Sequence, residues 1–482
     1  MLIHPLRRAA LLAAQSAVAA VLACQEEAAR PPPPAAEEPL DEATRIAHLL
    51  RRAGFGAGKA ELERFRSLGL QGTVEHLLDY AEVPDPALEH LSALELDLTK
   101  LDQLQRWWLL RMLHTTRPLQ EKMVLFWHGL LVSGNSKVGS PPLMLKQNEF
   151  FREHALDSFP TILKGIGRDP AMMIYLDLTG SQKARPNENY ARELMELFSL
   201  GVGNYNEGDV QQAARAFTGW TANRQTGAVS FNKAQHDDGM KNFLTQTGNF
   251  GPDDIVDIIV AHPASPRYLA RRLFSYFAYE NPPAAALEPL VDAYEASDRS
   301  VRAMLETLFT SEEFYSRRAY RAVVKSPVEY VVGALRSLEV ETTGELLPGL
   351  VTRMGQALFN PPNVAGWPGG ATWLSSATWF ERMNFANRLS TARGDKQLPV
   401  PDLDRWLEQE DRGDAARAVG RVLDLLVDGR VGTEARQILG AYLEGNGSAA
   451  RPLWKFQDQR SLDERLRGLF YLVLATPEYQ LA

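Results

Sequence analysis

Met123-Val124-Leu125-Phe126-Trp127-His128-Gly129-Leu130 sets Met123, Phe126, Trp127 and Leu130 at i, i+3, i+4 and i+7, the stripe of a helix with one buried face. The spacing recurs in Ile46, Leu49, Leu50 and Ala53, in Val210, Ala213, Ala214 and Phe217, and in Ala270, Leu273, Phe274 and Phe277. Helix start signals agree: Asp169 precedes Pro170 and Ser326 precedes Pro327, each a capping side chain ahead of a proline at the first helical position. The expected fold is therefore mainly α, a large multi-helix domain.

Two stretches interrupt the helical pattern. Between Thr221 and Phe250, Val229-Ser230-Phe231 and Phe243-Leu244 flank His236-Asp237-Asp238-Gly239. An Asp-Gly pair between β-prone runs predicts a small β-hairpin insertion, because its turn needs a positive φ. Residues 360–370, Asn-Pro-Pro-Asn-Val-Ala-Gly-Trp-Pro-Gly-Gly, hold too many prolines and glycines for a helix and predict a long ordered loop pinned by Trp367 and Trp373. Two segments echo one another, Met304-Leu305 through Thr310-Ser311-Glu312-Glu313-Phe314 and Leu472 through Thr476-Pro477-Glu478-Tyr479. Two copies fall short of a solenoid.

The N-terminus reads as an export signal. Arg7-Arg8 forms a charged start, and Ala9 to Ala23 is an apolar run of 15 residues, short of the roughly 20 needed to span a bilayer. The arginine pair does not choose the export route. The run ends Val21-Leu22-Ala23-Cys24, similar to the lipobox of bacterial lipoproteins, and Cys24 is the only cysteine, so no intramolecular disulfide supports the fold. Pro31 to Pro34 then make an extended tether. The expected organisation is a signal peptide over 1–23, a lipidated Cys24 with its tether over 24–40, a main helical domain over 41–395 and a C-terminal helical part of that same domain over 396–482. The expected location is the cell envelope, with the protein anchored to the membrane through Cys24 and facing the periplasm or exterior.

Net charge is 52 − 60 = −8, and −10 once residues 1–23 are removed with Arg7 and Arg8. That argues against nucleic acid as a partner, since phosphate binding needs a clustered basic surface. The sequence has no glycine-rich phosphate loop, no Gly-x-Ser-x-Gly elbow and no His-Glu-x-x-His helix.

The densest polar cluster is Arg185-Pro186-Asn187-Glu188-Asn189-Tyr190-Ala191-Arg192-Glu193-Leu194-Met195-Glu196-Leu197-Phe198. On a helix from Asn187, Tyr190, Leu194 and Leu197 face the core while Asn189, Glu193 and Glu196 share another face. Two carboxylates one turn apart can hold a divalent metal or divide acid and base roles, so Glu193 and Glu196, with Arg192 and Arg215, are the catalytic candidates. The alternative is a solvated face paired to arginine. His236 and Asp237 are candidate metal ligands, or simply turn-builders. Asn189, Lys241 and Trp367 are candidate ligand-binding residues. Trp367, Trp373 and Trp379 are stacking groups or core anchors. His128 on its apolar helix reads as a hydrogen-bonded core histidine. Arg45, His48 and Arg52 share a face that binds an anion or pairs with the acidic helix.

The residues His48-Leu49-Leu50-Arg51-Arg52-Ala53-Gly54-Phe55-Gly56, Phe126-Trp127-His128, the Asn187–Phe198 run, Ala214-Arg215-Ala216-Phe217-Thr218-Gly219-Trp220, His236-Asp237 with Gly239 and Lys241, and Gly366-Trp367-Pro368-Gly369-Gly370 resemble the bacterial "domain of unknown function 1800" family. The resemblance runs from about residue 41 to the C-terminus. It implies a large, exported, mainly helical protein, often encoded beside a "domain of unknown function 1501" protein, which makes that protein a candidate partner at the cell surface. Where many relatives carry a second histidine after Phe-Trp-His, this chain has Gly129-Leu130, which weakens a metal site built on His-x-His. Two functions follow as expectations. One is a cell-envelope binding or scaffold protein that holds a glycan or a partner. The other is a metal-dependent enzyme acting on an envelope or extracellular polymer.

Overall fold

The computed structural model describes residues 39–391, 397–398, 403–444 and 459–482. The signal segment, Cys24 and the tether up to residue 38 lie outside the described residues. The chain is mainly α: among the described residues are 22 α-helices and two antiparallel two-stranded sheets. No described helix is long and apolar enough to cross a membrane.

Contacts divide the chain into two compact units. One gathers residues up to 73 with 315–356 and 369–482; the other holds 74–314 and 357–368. In the first unit Leu40 is buried and Asp41 caps helix Glu42–Arg52, accepting from Thr44 N at 2.8 Å. Ile46, Leu49, Leu50 and Ala53 are buried as their spacing requires. Arg52 approaches Glu329 at 3.9 Å, and His48 packs against Tyr315 and Tyr320. Ser326 caps helix Pro327–Ser337 in a reciprocal box with Glu329. Trp373 and Trp379 are core anchors, each 6 % exposed.

In the second unit, helix Pro118–Leu130 departs from the single-faced expectation, since every residue in it except Gly129 is buried. The polar residues on its other side are buried as well. Glu121 accepts from Arg111 Nε at 2.5 Å, from Arg152 Nε at 2.6 Å and Nη2 at 3.0 Å, and from Trp108 Nε1 at 3.0 Å. Gln120 donates to the Arg152 carbonyl, and the Lys122 ammonium lies 5.6 Å from the Tyr276 ring centroid. A helix polar on one side can occupy a core centre when its charged groups find partners there.

The β region holds two hairpins. β1 (Trp220–Ala222) pairs with β2 (Val229–Phe231), and β3 (Lys241–Phe243) pairs with β4 (Gln246–Gly248). The Asp238-Gly239 pair turns neither; it lies in the link between them, and Gly239 has no positive φ. The second turn is made instead by Leu244 and Thr245, with φ of 44° and 68°. The Leu244 N–H donates to Asp209 at 2.9 Å, an anchor on helix Glu207–Ala216 that local turn propensity does not reveal.

The sequence echo is a shared device. Ser311 Oγ donates to Leu308 O and accepts from Phe314 N, and Thr476 Oγ1 donates to Val473 O and accepts from Tyr479 N. Each hydroxyl closes a helix end and drives the aromatic three residues on into a core, with Phe314 0 % and Tyr479 2 % exposed. One copy lies in each unit.

Candidate functional site

The acidic segment forms helix Asn189–Glu193 and runs directly into a π-turn over Leu194–Ser199. The wider turn shifts the buried stripe: Tyr190 and Leu194 are in the core as expected, but Met195 and Phe198 follow them, and Leu197 is only half-buried. The Leu197 carbonyl accepts from the Tyr268 hydroxyl.

Most of the acidic side chains in this segment are engaged. Arg192 binds Glu207 through two hydrogen bonds of 2.7 and 2.8 Å and reaches Glu188 at 3.3 Å. Glu196 accepts from the Tyr205 hydroxyl at 2.7 Å. Glu193 is half-buried and has no hydrogen-bond partner among the described residues; burial and the neighbouring Glu196 charge push its carboxyl up.

The helix and hairpins hold the next group. Arg215 grips Asp237 through Nε at 2.7 Å and Nη2 at 3.0 Å, and also reaches Gln212 and the Met240 carbonyl. The Arg215 hydrogen bonds hold the Asp237 carboxyl down, to about 2. His236 Nδ1 meets the Thr218 carbonyl at 2.9 Å, and its ring packs edge-on to Phe231. Lys241 is 1 % exposed, its ammonium donating to the carbonyls of Asp237 and Gly239. Gly219 (φ +88°) admits this packing, since an added Cβ would lie 2.8 Å from the Asn232 carbonyl. These residues clasp the hairpins to helix Glu207–Ala216. Among the described residues, no group of three or more His, Cys, Asp or Glu side chains is gathered to hold a metal.

A different set converges around the short helix Asn135–Val138. Asp177 accepts from Lys137 Nζ at 2.7 Å and from Asn189 Nδ2 at 2.9 Å, all three with exposed or half-exposed side chains. The Lys137 ammonium lies 5.9 Å from the Tyr175 ring centroid. The loop bearing Trp367 reaches the same helix: the Phe359 carbonyl accepts from Asn135 N at 2.8 Å, and Asn360 Oδ1 accepts from Ser136 N at 3.0 Å. His128, fully buried and pushed down to about 3 by that burial, is neutral; its Nε2 accepts from Phe359 N at 3.1 Å. Its ring centroid lies 5.5 Å from that of the half-buried Trp367. Gly366 (φ +81°) passes so close to Gly129 that an added Cβ would stand 2.6 Å from its carbonyl oxygen.

Asp177 and Phe359 both have positive φ, 56° and 60°. Of the expected site residues, the face includes Asn189, while Trp367 is carried on the loop that reaches it and packs by His128. The face adds Lys137, Tyr175, Asp177 and Asn360, which periodicity does not mark. Their available signal was turn chemistry: Gly134-Asn135-Ser136-Lys137-Val138-Gly139 and Asp177-Leu178-Thr179-Gly180 are both polar runs punctuated by glycine.

A family model described as a protein of unknown function (DUF1800) matches residues 48–481. No curated protein and no solved structure matches the chain.

Proposed function

The chain belongs to the DUF1800 family, and from that premise we propose that it is an exported lipoprotein, held at the envelope membrane through Cys24, that binds a hydroxyl-rich ligand, a glycan of the envelope, together with a DUF1501 partner. The observation that carries the reading is the Lys137–Asp177–Asn189 network beside Tyr175 and the Trp367 loop. Charged and amide groups already oriented by one another, next to aromatic rings, suit a sugar. Hydroxyls exchange hydrogen bonds with the polar set, and the apolar ring face stacks on the aromatics. The network is ordered before a ligand arrives, which lowers the ordering cost of binding.

Calorimetry of the full chain in detergent against soluble envelope oligosaccharides tests the reading. Asp177→Asn and Asn189→Ala should each weaken binding by about tenfold, the loss of one net hydrogen bond of roughly 1.4 kcal/mol. Undiminished binding in both variants, or none by the unsubstituted chain, contradicts it. The anchor has its own test, in which Cys24→Ser releases the protein from the membrane fraction.

The second reading, a metal-dependent enzyme acting on a polymer, is favoured by Glu193 alone. Its half-buried, upward-shifted carboxyl suits a general acid. Against it stand the engaged states of Asp237 and Glu196.

A further inference from the structure

A cavity of about 40 Å³ lies within the unit built on residues 39–73, 315–356 and 369–482, walled by apolar side chains and by Arg51, Lys325, Glu329, Asp428 and Tyr479. Room of this size takes about three water-sized occupants, since one needs roughly 10–15 Å³. Three polar groups at its wall lack a hydrogen-bond partner among the described residues. Lys325 is 6 % exposed, and its ammonium makes no hydrogen bond, lying only over the Tyr479 ring at 3.7 Å from the centroid. The Tyr479 hydroxyl, in a residue 2 % exposed, and Arg51 Nη2 are both buried and unmatched.

The acids around the cavity already have partners. Asp428 takes Arg51 Nη1 at 2.6 Å and the Tyr320 hydroxyl at 2.9 Å, with Arg321 at 3.9 Å. Glu329 accepts from Ser326 N at 2.7 Å, with Arg52 at 3.9 Å. Buried donors left without an acceptor are costly unless a ligand supplies one.

We propose that this cavity binds one small oxyanion, of carboxylate or bicarbonate size, held by the Lys325 amine, Arg51 Nη2 and the Tyr479 hydroxyl. The three donors suit two or three oxygens on a compact ligand. Burial pushes the Lys325 amine well below its ordinary range, and an anion beside it favours the protonated form.

The test is thermal unfolding of the full chain in detergent, titrated with formate, acetate or bicarbonate against chloride at equal ionic strength. The oxyanions should raise Tm along a saturating curve that chloride does not reproduce, and Lys325→Met should abolish the rise. The formate and bicarbonate arms separate the two ligand sources. Tyr479→Phe keeps the ring and removes the orphaned hydroxyl, and should weaken the apparent affinity about tenfold. A chloride curve equal to the oxyanion curves overturns the proposal, as does a rise retained in Lys325→Met. A flat response also overturns it, because water or the Ala482 carboxylate then fills the space. If Lys325→Met does not fold, unchanged affinity in Tyr479→Phe overturns it.

Discussion

Arg215 and Asp237 face one another in a two-point ion pair, with Nε to Oδ2 at 2.7 Å and Nη2 to Oδ1 at 3.0 Å. The pair ties helix Glu207–Ala216 to the link between the two hairpins. Because Asp237 titrates at about 2 in the folded chain, below its unfolded value near 3.9, it contributes stability that is complete above pH 4. That contribution fades as pH falls from about 4 to 2. Arg215→Ala should cost about 1–2 kcal/mol at pH 7, given a partly exposed pair that also serves Met240 O, and urea unfolding at pH 7 and pH 3 should show a smaller loss at pH 3.

Glu121 is the opposite case in burial, with 0 % exposure and two arginines upon it. Burial raises its carboxyl, but the Arg152 and Arg111 charges outweigh that and hold it below its ordinary range. Glu121→Gln leaves the buried Arg152 guanidinium uncompensated and Arg111 with Asp85 alone at 3.5 Å, and should destabilise the second unit by about 3–5 kcal/mol. A loss under 1 kcal/mol by denaturant unfolding would show that the cluster is hydrated.

Asp169 caps helix Pro170–Tyr175 and accepts from Met172 N at 2.8 Å and Gln147 Nε2 at 2.7 Å. Burial nevertheless pushes it up to about 6. With the folded value above the unfolded one, its contribution is greatest below pH 4 and is lost as pH rises through 6. Asn caps as well as Asp, so Asp169→Asn should gain stability relative to the unsubstituted chain between pH 4 and 7. Melting temperatures across that range check the sign.

Gly366→Ala places a methyl 2.6 Å from the Gly129 carbonyl at a φ of +81°. The loop must lift away from His128, at a cost of about 1–3 kcal/mol. The fluorescence of Trp367, recorded against a Trp367→Phe reference, should shift to the red as the indole gains water. An unchanged spectrum would mean the loop accommodates the methyl in place.

The helical architecture was legible because stripes such as Val210, Ala213, Ala214 and Phe217 are local in sequence and buried as spaced. What stayed hidden depends on distant partners. Glu121 and Lys122 look solvated until Arg152 and Tyr276 arrive. Asp238-Gly239 looks like a hairpin turn, but the strand pairing is set elsewhere, and Leu244 and Thr245 turn in its place. The π-turn moved Leu197 off the buried stripe by one residue, a shift that a fixed 3.6-residue period does not anticipate. At the site, Asn189 and Trp367 stand in composition-rich motifs, whereas Asp177 matters through Lys137, 40 residues away.

The carboxylates of the polar motifs are mostly structural partners, and the ligand face proposed at Lys137, Asp177 and Asn189 requires no metal centre. Elemental mass spectrometry of the full chain, purified without chelator beside Glu193→Ala and His236→Ala, tests this most directly. Metal should stand well below one equivalent in all three preparations. Near-stoichiometric metal in the unsubstituted chain, lost in both variants, would contradict this and make the chain a metalloenzyme.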